Sequence, residues 1–321
     1  MATSFSSGNA AVGADWPALP YGEWKETLAT LHMWCQMVGK IRLAQSPWIN
    51  HSWHATFYLS ARGITTSTIP FGPRTCELEF DFVDHHLRIH TSDGMLRTIT
   101  LKPRPVADFH RELFAQMADL GLAVRIHAKP NEVEPAIAFE HDTVHASYDG
   151  EYANRFWRVL LQAERVFGQF RSGFIGKCSP VHLFWGGLDL AVTRFSGAAA
   201  PEHPGGIPNC PDWVTREAYS HEVSSCGFWP GNDAMPKPLF YAYAYPEPPG
   251  FRAASVQPDT AAYDGNSGEF VLPYDAVRQA ASPDAVLREF LQSTYEAAAN
   301  LGNWNRAALE RSAPPRATGG Y

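Results

Sequence analysis

Twice along this chain the hydrophobic period changes from that of a helix to that of a strand and back again, and few folds accommodate such an order. Trp24, Leu28, Leu31, Trp34, Cys35 and Val38 recur at steps of three and four, which places them on one face of a helix over 24–38 that needs a core to lie on. Gly39 is read as its end. From 53 to 101 the period is two. Trp53, Ala55, Phe57 and Leu59 alternate with His54, Thr56, Tyr58 and Ser60, and Leu78, Phe80 and Phe82 alternate with Glu77, Glu79 and Asp81. The gaps between these runs are too short for helical crossovers, so the strands are antiparallel. A second helix is predicted over 105–120, opened by Pro105 and stopped by Gly121, with a strand near 123–127.

Asp149 then caps a long helix with the stripe Tyr152, Phe156, Leu160, Ala163, Phe167 and Phe170. Strands are expected at about 181–185, 188–195, 221–228, 239–245 and 268–272. Ser282 and Pro283 open the last helix, which carries Leu287, Phe290, Leu291, Ala298 and Leu301. Residues 196–211, rich in Pro and Gly, read as a mobile surface loop.

Helix, antiparallel strands, helix is thus the order in both halves. It predicts an α+β fold of two similar halves, each an antiparallel sheet packed with helices, forming one compact body. The halves are assigned to 17–148 and 149–310, with 1–16 a disordered lead-in and 311–321 a disordered tail. Their junctions echo one another: Gly39-Lys40, Ser46-Pro47, Trp53 and Arg62 find counterparts in Gly176-Lys177, Ser179-Pro180, Trp185 and Arg194. Internal duplication and chance both account for so few identities. Under duplication, His51 lies close to the position matching His182.

Composition narrows the functions. With 26 basic against 33 acidic residues the net charge is −7, and a nucleic-acid partner is not expected, because a phosphate backbone calls for a local surplus of Lys and Arg. The N-terminal MATSFSSGNAAVGAD lacks the basic and apolar segments of an export signal. The longest apolar stretch, 181–192, is too short to cross a bilayer. Five cysteines, odd in number and without a C-x-x-C pair, read as reduced thiols of a cytoplasmic protein. Neither G-x-S-x-G, G-x-x-x-x-G-K-[ST] nor G-x-G-x-x-G occurs, so no nucleotide cofactor is expected.

Candidate chemistry concentrates in 176–197 and 217–231. A histidine between Val181 and Leu183 is costly to bury alone, so His182 is satisfied by backbone or by Asp189, or it ligates a metal. Arg194 is a structural ion-pair partner or an anion clamp. His221 and Glu222 project to opposite faces of a strand, and one of them with His182 contributes to a two-histidine, one-carboxylate set suited to zinc or non-haem iron. Trp185 and Trp229 pack turns or wall a pocket, while His51 and His54 open a strand or reach a site between the halves. Tyr241, Tyr243 and Tyr245 share one strand face. The row His32, Gln36, Lys40 reads as a solvated helix edge, and HDTVH at 141–145, though spaced for chelation, falls in a loop.

The expectation is an enzyme acting on a small organic molecule, acidic ones included, in a cleft between the halves. A metal-dependent hydrolase or oxygenase is preferred to a metal-free acid/base enzyme. His182, Asp189 and Glu222 are the candidate catalytic residues and His182, His221 and Glu222 the ligands of one divalent zinc or iron. Arg194, Trp185, Trp229, His51 and His54 are the candidate substrate contacts. The alternative is a non-catalytic small-molecule-binding protein with an aromatic pocket and Arg194 as anion contact.

The segments WPALPYGEWKETLATLH, GKIRLAQSPWINHSWH, FIGKCSPVHLFWGGLDLAVTRFSG, EAYSHEVSSCGFWPG and GEFVLPYDAVR, spanning about 16–310, resemble a bacterial family catalogued only as a domain of unknown function. The resemblance implies one full-length unit of that family and carries over no catalytic residue, substrate or cofactor.

Overall fold

The first apolar stripe does form a helix, but in the computed structural model, which describes residues 15–311, that helix does not stop at Gly39. Helix α1 spans Tyr21–Gln45. Glycine inside a helix costs about 1 kcal/mol relative to alanine, yet a Cβ at Gly39 would lie within the Trp185 indole. Close approach of a neighbouring ring, not termination, is what this glycine provides. The helix ends at Ser46, whose extended backbone is the conformation imposed on a residue preceding proline. Residues 1–14 of the expected lead-in lie outside the described residues. Trp16 belongs to the core instead, with its ring edge-on to Phe240 at 6.3 Å.

The first sheet follows as β1 (Tyr58–Leu59), β2 (Gly63–Thr65), β3 (Ile69–Phe71), β4 (Arg74–Asp81), β5 (His86–Thr91) and β6 (Leu96–Thr100), all pairs antiparallel. Its spatial order is β1-β2-β4-β5-β6, with β3 paired to β4. Cys76, Leu78 and Phe80 of β4 are buried in the alternation that a half-buried strand requires. The expected strand at 53–59 is shorter: a 3-10 turn at Asn50–Ser52, with His51 at φ 60°, precedes β1. Helix α2 (Val106–Asp119) starts after Pro105 as read. Residues 123–127 are not a strand; Leu122 belongs to the core, and Val124 and Ile126 pack onto it from an irregular segment.

Helix α3 (Gly150–Ser172) is capped by Asp149, whose carboxylate accepts from the amides of Glu151 and Tyr152. The second sheet comprises β7 (His182–Phe184), β8 (Asp189–Ala199), β9 (His221–Trp229), β10 (Leu239–Tyr245), β11 (Ala262–Asp264) and β12 (Glu269–Pro273), in spatial order β11-β12-β10-β9-β8-β7. Between β8 and β9 lies α4 (Asp212–Ala218). The chain closes with α5 (Tyr274–Arg278), α6 (Pro283–Leu301) and α7 (Arg306–Leu309). Strand β8 runs past a bulge to Ala199, which takes the start of the 196–211 loop into the sheet. Residues 312–321 of the expected tail lie outside the described residues.

Two antiparallel sheets of six strands, each with helices, thus make an α+β fold with two similar halves. Leu190, Val192, Phe228, Phe240 and Ala242 turn one face of the second sheet into the core, where α3 and α6 cover it. The sheets meet at one rung, where Phe57 and Leu183 exchange both backbone hydrogen bonds at 2.9 Å. The sequence echoes do not share local structure: Gly39-Lys40 is inside α1, whereas Gly176-Lys177 lies in the connection after α3. No helix among the described residues is long and apolar enough to cross a membrane.

Candidate functional site

The alternation of β8, β9 and β10 that sends one set of residues to the core sends the other to a cavity of about 860 Å³. Its floor carries Asp189, Thr193, Ser225, Tyr241 and Tyr243. The first half supplies the opposite wall through Lys40 of α1, Trp48, His51, Trp53 and the 127–132 loop. Trp185 stands between them, with its Nε1 donating to the Ala55 carbonyl at 2.8 Å. At the rim Trp48 and Trp213 are exposed, 4.9 Å apart between centroids, and Trp48 Nε1 donates to Glu217 at 2.6 Å.

Two carboxylates converge at the Gly186-Gly187 turn. A Cβ on Gly187 would meet Asp189 Oδ1 at 3.0 Å and Glu132 Oε2 at 3.7 Å, and one on Gly186 would meet Glu132 Cδ at 2.8 Å. Glycine at both positions is what lets the Glu132 side chain lie across the turn. Tyr241 Oη donates to Asp189 Oδ2. Burial pushes the Asp189 carboxyl up to about 6 despite that hydrogen bond. Burial, and then the Asp189 charge, push Glu132 up to about 7. Glu269, at the start of β12, is raised to about 7 by burial and by Asp189 and Asp264. Like charges in a poorly solvated space cannot all ionise at neutral pH.

Glu132 holds a left-handed backbone, φ 60°, which costs a side-chain-bearing residue about 1 kcal/mol. Its neighbours fix it there. Glu132 N donates to Pro208 O at 3.0 Å, Asn131 Nδ2 donates to Asn209 O at 2.6 Å, and Asn209 Nδ2 donates to Val133 O at 3.0 Å. From α1, Gln36 donates to Asn131 O at 2.8 Å and accepts from Asn131 N at 3.0 Å, while His32 Nε2 donates to Gly186 O at 2.7 Å. The row His32, Gln36, Lys40 is therefore no solvated edge: Gln36 and Lys40 are buried, and the row clamps both loops that carry the carboxylates. Gln36→Leu keeps the volume but leaves the Asn131 backbone N–H and carbonyl without their Gln36 partner. It is expected to cost about 2–3 kcal/mol, read by urea unfolding, and to speed amide exchange at Asn131; unchanged exchange there would contradict the clamp.

The sequence-derived site residues divide. Asp189, Trp185 and His51 line the cavity. His51 is saturated, donating from Nδ1 to Ala218 O at 3.0 Å and accepting at Nε2 from Lys177 at 2.6 Å. His54 is buried beneath Trp48, with ring centroids 4.3 Å apart, and Trp229 ends β9; neither lines the cavity. Arg194 faces the other side of the sheet, where its guanidinium lies on the Phe170 ring at 3.4 Å, contacts Tyr295 at 4.3 Å and donates to Phe170 O. As an even-numbered residue of β8 it cannot be the cavity's anion clamp.

The metal set does not assemble. His182 shares a rung with Ala191 and Gly227. His221 is six residues along β9 from that rung, about 20 Å at 3.3 Å per residue. Glu222 projects to the opposite face, beside Ala298 and Trp304. Among the described residues no group of three or more His, Cys, Asp or Glu side chains is placed to hold a metal ion.

His182 is instead fully buried beside Phe184 and Trp53, neither ring nitrogen meeting a protein partner, and burial pushes it down to about 3. A depressed histidine binds fewer protons folded than unfolded, so its contribution is present above the unfolded value near 6.5 and is lost as pH falls below it. At pH 5 the loss is about 2 kcal/mol. His182→Leu is expected to lessen the drop in stability between pH 8 and pH 5 by that amount, measured by urea unfolding at both; an unchanged drop would show that the ring is not buried neutral.

Sequence reasoning missed Glu132, Lys40 and Gln36. The helical row was visible, but its burial depends on loops far away in sequence, and Glu132 lies in a segment without periodicity. Set against known proteins, residues 16–311 match a family described as a family of unknown function, DUF5996. No curated protein matches the chain, and no solved structure does.

Proposed function

The chain belongs to the DUF5996 family of unknown function, and from the geometry of its cavity we propose an enzyme that acts on a small organic molecule by proton transfer between Asp189 and Glu132. The observation that carries this reading is the convergence of the two carboxylates at one glycine turn inside an aromatic-walled cavity. A pair that keeps one proton near neutrality contains both a donor and an acceptor, which is what hydrolysis, elimination or isomerisation asks of a site. Tyr241 holds Oδ2 of Asp189 and leaves Oδ1 towards Glu132. Trp53, Trp185 and Tyr243 supply apolar walls for the substrate, in a volume suited to a metabolite-sized molecule. Five free thiols fit a reducing compartment and a cytoplasmic enzyme.

The exposed Trp48–Trp213 pair at the rim favours a second reading, a binding protein that stacks a planar ligand without chemistry. A metabolite library screened by thermal shift, with each stabilising compound then followed by mass spectrometry, separates the two. Conversion by wild-type protein supports the enzyme; compounds that bind tightly and are all returned unchanged support the binder.

A further inference from the structure

Lys40 is the one lysine or arginine among the described residues that line the cavity. It is 4% exposed, held on α1 beside the Trp185 ring at 5.4 Å from its centroid. An ammonium has three donors, and the partner of this one is the neutral Asn131 Oδ1. The other lysines with contacts near the cavity or the helix are differently placed: Lys25 reaches Asp233 and Lys177 reaches His51. No carboxylate among the described residues lies within ion-pair distance of Lys40; burial dominates its electrostatics, and the acidic group that favours its charge is the Cys210 thiol, a weak acid and not a carboxylate. Glu132 and Asp189 line the same cavity, so opposite charges face one space without neutralising one another. A buried charge without a counter-ion is costly, and an anionic ligand in the cavity would supply the missing partner.

We propose that Lys40 anchors an anionic group of the cavity's ligand, a carboxylate or a phosphate, so that the molecule taken up is an organic anion with its reacting end towards Asp189. The proposal rests on the proton-transfer reading for the direction in which the ligand lies; the anchor itself stands on a buried ammonium that no carboxylate among the described residues pairs. It gives the cavity the anion contact that Arg194, on the far face of the sheet, does not.

The test uses three probes of one shape: phenylacetate, phenyl phosphate and neutral phenylacetamide, titrated calorimetrically into the full chain at pH 7. At least one anion is expected to bind tenfold or more tightly than phenylacetamide, and which anion it is separates a carboxylate ligand from a phosphate one. Lys40→Met, with unchanged circular dichroism, is expected to abolish the preference. Should that variant fail to fold, the wild type at pH 6.5 and 9.5 serves: with burial holding the ammonium down to about 8, the preference should fade at the higher pH. Anionic probes that do not bind, that bind no better than the amide, or whose preference survives in Lys40→Met and at pH 9.5 overturn the anchor. Conversion of a bound compound by Asp189→Asn protein would overturn the proton-transfer reading alone, since it leaves the anion preference untouched.

Discussion

Gly39→Ala is expected to destabilise the protein by about 2–3 kcal/mol, the reverse of what helix propensity dictates. In an exposed helix interior the added methyl stabilises by about 1 kcal/mol. Gly168, in α3 with no atom within 4 Å of a built Cβ, supplies that comparison, and Gly168→Ala is expected to gain that amount. At Gly39 the methyl would occupy the Trp185 indole, and overpacking of a tight contact costs about 1–3 kcal/mol. The ring has little freedom to yield, because its Nε1 is bound to Ala55 O and Lys40 lies over its face. Displacing it breaks that hydrogen bond and shifts one wall of the cavity, so tryptophan fluorescence should change with stability. Paired urea unfolding curves of the two alanine variants check this; a Gly39→Ala protein as stable as Gly168→Ala would falsify the packing argument.

Asp189→Asn is expected to lower turnover of a converted compound by about 10²–10⁴-fold while making the protein more stable. The sign of the second effect follows from linkage. Burial raises the folded-state value of Asp189 from 3.8 to about 6, so the folded state holds a proton that the unfolded state has released. Its contribution is favourable below pH 3.8 and is lost as pH rises through about 6. Above pH 6 the wild type carries the full cost of a half-buried carboxylate, up to about 3 kcal/mol. Asparagine still accepts from Tyr241 and carries no charge. The variant should therefore melt higher at pH 8 and equally at pH 4. A variant that is destabilised at pH 8 would show that the charge at 189 holds the turn together rather than straining it, and the acid-base pair would lose its physical basis.

Which parts of this molecule were legible in its sequence follows from the range of the forces involved. Asp149 marks a helix start because its side chain caps the first turn, and Pro105 and Pro283 do so because a fixed φ acts over a single turn; Ser282, expected as a cap, stands at the start of its helix without a side-chain capping bond. Strands β8, β9, β10 and β12 were read from local apolar runs, and the tyrosine face of β10 from its period of two. Gly39 misled because the residue that explains it, Trp185, is remote in sequence. The same distance hides the site. Asp189 was visible beside its glycines, whereas Glu132 reaches that turn from an irregular loop held by Gln36 and Pro208. Arg194 and Glu222 were misassigned by strand parity: Arg194 shares the core-facing phase of Leu190 and Val192, and Glu222 lies on the face opposite Val223 and Ser225, which line the cavity.

The Phe57–Leu183 rung leaves β1 and β7 without open edges towards each other and passes one continuous core beneath the cavity. Neither half can loosen far without stripping the other, so the molecule should lose its structure in a single cooperative step. Occupancy of the space between Lys40 and Asp189 would then register as an upward displacement of that whole transition, by RT ln(1 + [L]/Kd), and slow-exchanging amides at 57 and 183 would report the same gain as those in the centre of α3.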